Sequence, residues 1–118
     1  MENFKLVLPE HLNHLGRLFG GQLLRWVDET AYIAARMEYP ECNFVTIGMS
    51  RVEFRQQVKV GAILRLEVSR EKQGKTSISY SVDVTEIDDA RQRSVFATVV
   101  TFVNVGEDGS KVEIACCS

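Results

Sequence analysis

The chain has 118 residues, 45% of them apolar and 25% charged, with 8 glycines, 2 prolines and 3 cysteines. That is the length and composition of one globular domain spanning 1–118, and it excludes a disordered, collagen-like or disulfide-dense chain. The charges nearly cancel, 14 Lys and Arg against 16 Asp and Glu, so there is no basic field with which to hold nucleic acid.

At the N-terminus, Met1-Glu2-Asn3-Phe4-Lys5 lacks the basic start and long apolar stretch of a signal peptide. No apolar run approaches the roughly 18 residues of a membrane span, so no membrane partner is expected. Residues 4–8 suit a short opening strand closed by Pro9, and residues 10–20 are polar and glycine-rich, a loop by composition. Over residues 21–38 the period becomes helical, and it stops before Pro40, which cannot continue a helix. Gln22, Arg25, Glu29 and Arg36 share one narrow polar face; Leu23, Leu24, Trp26, Val27, Ala31, Ile33, Ala34, Ala35 and Met37 make nearly all the rest apolar. So wide an apolar surface predicts a helix enclosed by other structure.

Beyond the helix the pattern is that of strands. Residues 44–55 are rich in β-branched side chains, and Leu64, Leu66 and Val68 alternate with Arg65 and Glu67. Ile78, Tyr80, Val82 and Val84 alternate with Ser77, Ser79, Ser81 and Asp83, a sheet with one wet face. Residues 95–105 are apolar on both faces, which predicts a central strand or one whose outer face is also covered. Gln73-Gly74-Lys75 and Asp88-Asp89-Ala90 suit hairpin connections, and a last short strand-like run is expected at 111–115 after the turn at Gly106-Glu107-Asp108-Gly109. One helix covers five or six strands only if the sheet curls around it. The expected class is therefore α+β, a curved antiparallel sheet of five to six strands around one long central helix.

Of the three cysteines, Cys116 and Cys117 are adjacent and Cys42 stands alone, a pattern of free thiols in a reducing cytoplasm. A prenylation box would need its cysteine where Ala115 stands. Asp28 is the anomaly of the helix, because its neighbours at i−4, i+3 and i+7 are Leu24, Ala31 and Ala35. A carboxylate on an apolar face is costly unless paired, and burial there would raise its pKa. It reads either as a functional group or as a structural one, capping backbone groups or meeting an arginine across an interface. Gly20-Gly21, at the helix start, leave backbone N–H groups uncovered at the positive end of the helix dipole. They suit an oxyanion hole or, more simply, a tight loop packed against the sheet. Asn13 suits either holding a carbonyl or water, or forming a turn. His11 and His14 are the only histidines; with no further ligand nearby, no metal is expected.

The run from Pro9 to Ala35 contains Asn13, Gly16, Phe19, Gly20, Gly21, Leu24, Trp26 and Asp28 in the spacing N-x-x-G-x-x-F-G-G-x-x-L-x-W-x-D. This strongly resembles the acyl-CoA thioesterases of the hotdog-fold superfamily. Val45-Thr46, Phe54, Val60-Gly61, Gly74-Lys75-Thr76-Ser77 and Thr101-Phe102-Val103 follow the same family's strand pattern, so the resemblance extends along the whole chain. It implies the hotdog fold, assembly as a homodimer or a larger tetramer or hexamer, and active sites between subunits at the helix N-terminus. It implies Asp28 and Asn13 as the catalytic pair, Gly20 and Gly21 with the adjoining Phe19 as the oxyanion and substrate-binding turn, and Arg55 and Thr76 as contacts to CoA. No cofactor is implied, since coenzyme A is part of the substrate. Arg17, Gln57 and Ala62 depart from the residues usual in relatives. A hotdog hydratase would rely on a histidine placed differently, and a non-catalytic acyl-CoA-sensing domain fits poorly with an intact Asn13 and Asp28.

Overall fold

The computed structural model of the chain describes residues 1–88 and 92–117, without the side chains of residues 116 and 117. In chain order come β1 (Glu2–Leu6), a 3-10 turn (Pro9–His11), α1 (Gly20–Glu38), β2 (Phe44–Phe54), β3 (Ile63–Gln73), β4 (Ser77–Ile87), β5 (Gln92–Asn104) and a closing 3-10 turn (Ile114–Cys117). The strands form one antiparallel sheet in the order β1-β3-β4-β5-β2. β2, the strand that follows the helix, is thereby an outer edge. Asp89 and Ala90 of the expected hairpin, and Ser118 of the tail, lie outside the described residues, as do the side chains of Cys116 and Cys117.

The period-2 pattern places Leu64, Leu66 and Val68 of β3 and Ile78, Tyr80, Val82 and Val84 of β4 in the core. Against them α1 lays Leu23, Trp26, Val27, Thr30, Ala31, Ala34 and Ala35, and it packs on β2, β3, β4 and β5 alike. Two glycines at its start cost up to about 1 kcal/mol each relative to alanine. Burial of Leu23, Trp26 and Val27 returns about 1.5–3 kcal/mol apiece, so packing decides that this segment is helical. The three alanines let the sheet close over the helix. No described helix is long and apolar enough to cross a membrane.

Two expectations shift. The opening strand is Glu2–Leu6, not 4–8, because buried Val7 leaves the ladder to exchange backbone hydrogen bonds with Gly61 and Ala62. Residues 111–115 form no strand: Lys111 makes one isolated bridge to Val105, and the chain then turns so that Ile114 plugs the core. β5, apolar on both faces, is an inner strand between β4 and β2. At its end, buried Asn104 accepts from the Asn43 N–H and donates to the Val112 carbonyl, tying the C-terminal segment down. Cys42 is buried, and its thiol lies 3.9 Å from the Ile114 carbonyl as a weak donor.

Candidate active site

The loop before α1 is organised by Asn13. Its Oδ1 accepts from the N–H of Leu15 at 2.9 Å and of Arg17 at 3.1 Å, while its own N–H donates to the Arg17 carbonyl. Gly16, at φ 76°, supplies the left-handed step that closes this turn. Asn13 is thus a turn former, and what it has left to offer a ligand is its NH2 group. Leu18 N–H anchors the loop to the Val58 carbonyl, and Phe19 N–H to the His11 carbonyl. His11 is committed as well: Nδ1 accepts from Leu8 N–H at 3.0 Å, and the ring stands edge-on to Trp26 at 4.8 Å. His14 is exposed, and among the described residues no three metal-ligating side chains gather.

Phe19, in extended conformation, precedes the helix, and its carbonyl receives the N–H groups of both Gln22 and Leu23. The N–H groups of Gly20 and Gly21 make no hydrogen bond to any described residue. They are the uncapped donors of the first turn, at the positive end of a 19-residue helix. A Cβ on Gly20 would meet the Phe54 ring at 3.4 Å, and one on Gly21 the Phe19 ring at 2.7 Å. A cleft of about 260 Å³ opens here, lined by Asn13, Arg17, Gly20, Leu23, Phe54 and Gln57 among others. Asn13 and Gly20 therefore share one concave surface.

Asp28 is elsewhere. Eight residues past Gly20 it lies about 12 Å further along the helix axis. It is half-buried, not enclosed, because its face of α1 looks toward the outer strand β2. Its partner is neither a backbone group nor an arginine: Thr46 Oγ1 of β2 donates to Asp28 Oδ1 at 2.7 Å. The sequence placed Thr46 on a strand and assigned it no role; only the packing of β2 beside α1 reveals it.

Arg55 and Thr76 are not brought together within one chain. Arg55, next to Phe54, bonds through its backbone to Val95, and its guanidinium holds Glu53 at 3.1 Å and Ser94 Oγ at 2.7 Å. Thr76 accepts from Asn104 N–H at the other end of β5. Nine strand residues, about 30 Å, separate the two positions. Arg17 and Gln57, two of the departures from the usual pattern, instead meet: Arg17 Nε donates to Gln57 Oε1 at 3.2 Å.

The sequence profile of the thioesterase superfamily matches residues 15–92, a stretch that holds Gly20, Gly21 and Asp28 and begins just after Asn13. Acyl-coenzyme A thioesterase 11 of Mus musculus is 34% identical over 101 residues, covering 84% of this chain and 17% of its own length. The chain thus spans less than a fifth of that relative. Among solved structures, a hexameric hotdog fold thioesterase of Campylobacter jejuni superposes with a TM-score of 0.82 at 34% identity, covering 94% of this chain and 86% of that one. An acyl-CoA hydrolase from Staphylococcus aureus, solved in complex with butyryl coenzyme A, coenzyme A and coenzyme A disulfide, superposes at 0.87 with 25% identity, covering 96% of this chain and 70% of that one.

Proposed function

This chain belongs to the thioesterase superfamily and has the hotdog fold, and from that premise we propose that it hydrolyses the thioester bond of acyl-CoA, consuming water and releasing a carboxylic acid and CoA. The observation that carries the reading is the pair of unpartnered N–H groups at Gly20 and Gly21, of which Gly20 lines one cleft with Asn13. Such donors suit the negative charge that develops on the thioester oxygen when its carbon is attacked. Phe19 flanks them, and the Asn13 NH2 orients the carbonyl or the attacking water. The leaving thiol has a pKa near 8.5, so it departs without a strong general acid.

Asp28 supplies the remaining function, taking the proton from water or attacking the carbonyl carbon itself. Within one chain it stands two turns from the cleft, so the site needs a second copy, in which the Asp28 of one chain meets the Gly20–Asn13 cleft of the other. The outer strand that carries Thr46 also exposes Val45, Ile47, Val52 and Phe54, an apolar edge suited to such a contact. The relatives with solved structures include hexamers, and a homo-oligomer of dimers is the assembly we assign here. Arg55, at the cleft end of β5, remains the CoA contact of choice; Thr76 reaches the nucleotide only from a neighbouring copy. The substrate brings its own CoA, and no further cofactor enters the proposal. A chain with only three cysteines, two of them adjacent, fits a reducing, cytoplasmic setting.

Thiol release from short, medium and long acyl-CoAs tests the reading. Turnover of at least one of them is expected, and Asp28→Ala should lower kcat by about two to four orders of magnitude with the fold intact. A chain that releases no thiol from any acyl-CoA overturns the proposed activity; near-normal turnover by Asp28→Ala overturns the role of that residue.

A further inference from the structure

The cleft beside the glycine turn has an unusual electrostatic character. Among the residues lining it, Asn13, Leu18, Gly20, Leu23, Phe54, Gln56, Gln57 and Val58 are uncharged, and Arg17 is the one ionised group. Within one chain, no carboxylate of a described residue lies within ion-pair distance of its guanidinium. Instead, Nε is held by Gln57 Oε1 at 3.2 Å, and Nη1 reaches only the Gly16 carbonyl at 3.4 Å. Engaging Nε in this way fixes the plane of the guanidinium and leaves its Nη end, the fork that grips carboxylates and phosphates, without a partner of opposite charge. The uncapped Gly20 N–H adds a second positive contribution to the same surface.

We propose that Arg17, positioned by Gln57, is a specificity-determining residue that binds an oxyanion carried by the thioester substrate. The inference rests on the thioesterase reading above and names a substrate class for it. Two parts of such a substrate carry that chemistry: a carboxylate ending a short acyl chain, and a phosphate of CoA. About 260 Å³ holds roughly nine water-sized groups, enough for a short dicarboxylic acyl group inside the cleft. The nucleotide of CoA is larger, so its phosphates would meet the half-exposed Arg17 at the rim.

The test compares kcat/KM for glutaryl-CoA, pentanoyl-CoA and S-pentanoyl-pantetheine. The first two share a five-carbon chain and differ by the distal carboxylate; the last two differ by the phosphates and nucleotide. In Arg17→Met, loss of a charge-assisted bidentate contact should lower one ratio by about tenfold to a hundredfold. A fall in glutaryl-CoA over pentanoyl-CoA identifies the acyl carboxylate; a fall in pentanoyl-CoA over pentanoyl-pantetheine identifies the phosphate. Both ratios within twofold of the unaltered protein overturn the proposal. Arg17→Lys, which keeps the charge, should restore part of the affected ratio. Gln57→Leu keeps Arg17 but frees it, and should lower the same ratio by a smaller factor, so it carries the test if Arg17→Met does not fold. Turnover of pentanoyl-CoA by the unaltered chain separates failure here from failure of the thioesterase reading, which would abolish thiol release altogether.

Discussion

Thr46 Oγ1 donates to Asp28 Oδ1 at 2.7 Å, joining the middle of α1 to the outermost strand of the sheet. The bond occupies one carboxylate oxygen and leaves the other for water or for the thioester carbon. Thr46→Val keeps the side-chain shape and removes the donor. A hydrogen bond to a charged group contributes about 1.5–3 kcal/mol, so kcat should fall by about tenfold or more with little change in KM, and the melting temperature should drop by several degrees. Steady-state thiol release checks it, and kcat within twofold of the unaltered protein would show that Thr46 does not orient the carboxylate.

The two glycines of the turn should respond differently to an added methyl. On Gly20 the new Cβ meets the Phe54 ring at 3.4 Å, and on Gly21 it meets the Phe19 ring at 2.7 Å. Gly20→Ala should therefore be close to neutral in stability. Gly21→Ala must displace the exposed Phe19 ring from beside the N–H donors and should lower kcat/KM by about tenfold or more. Thermal melts and kinetics on both variants distinguish them; equal activity in the two would mean that the Phe19 ring has no part in the site.

Ile47 sits at a bulge of β2, where the pairing with β5 slips between Thr46 and Gly48, and 61% of its surface is exposed. If this edge meets a second copy, a carboxylate placed there becomes an unpaired charge in an apolar contact, at a cost of several kcal/mol. Ile47→Glu should shift the sedimentation coefficient to a smaller species and abolish turnover together, while far-UV circular dichroism stays unchanged. An unchanged mass with full activity would exclude this edge from the working assembly.

Tyr80 is 1% exposed, and the Glu38 carboxylate stands beside its hydroxyl. Burial first, and then the neighbouring Glu38 carboxylate, hold its pKa well above the usual tyrosine value. The folded state therefore disfavours the phenolate that the unfolded chain forms above about pH 10. Stability from this group is complete below that pH and declines as pH rises beyond it. Tyr80→Phe should stay within about 1 kcal/mol of the unaltered protein at neutral pH and flatten the decline in alkaline solution. Denaturant midpoints at pH 7 and in steps above pH 10 measure both; an alkaline slope unchanged by the substitution would locate the effect elsewhere.

The elements were legible because their cause is local. The alternation of Ile78, Tyr80, Val82 and Val84, and the near-continuous apolar surface of α1, encode which side of each element is buried, and from that follows a single helix wrapped by a sheet. Gly20-Gly21 was legible too, since uncovered backbone is a property of the residues themselves. Asn13 was legible as a special position, but its competing roles were separated only by the turn that recruits its oxygen to Leu15 and Arg17. The shift of the first strand arose from Val7, whose partners Gly61 and Ala62 are more than fifty residues away.

The sequence by itself determined the α+β architecture, the glycine turn and the place of an aspartate in the helix, because side-chain period and backbone freedom act over a few residues. Only the tertiary structure decided who meets whom. Folding set Thr46 on Asp28 and Gln57 on Arg17, pairs 18 and 40 residues apart, and it held Arg55 and Thr76 at opposite ends of β5. It also left Asp28 two turns from the cleft of its own chain, because a helix is rigid and its rise per residue is fixed.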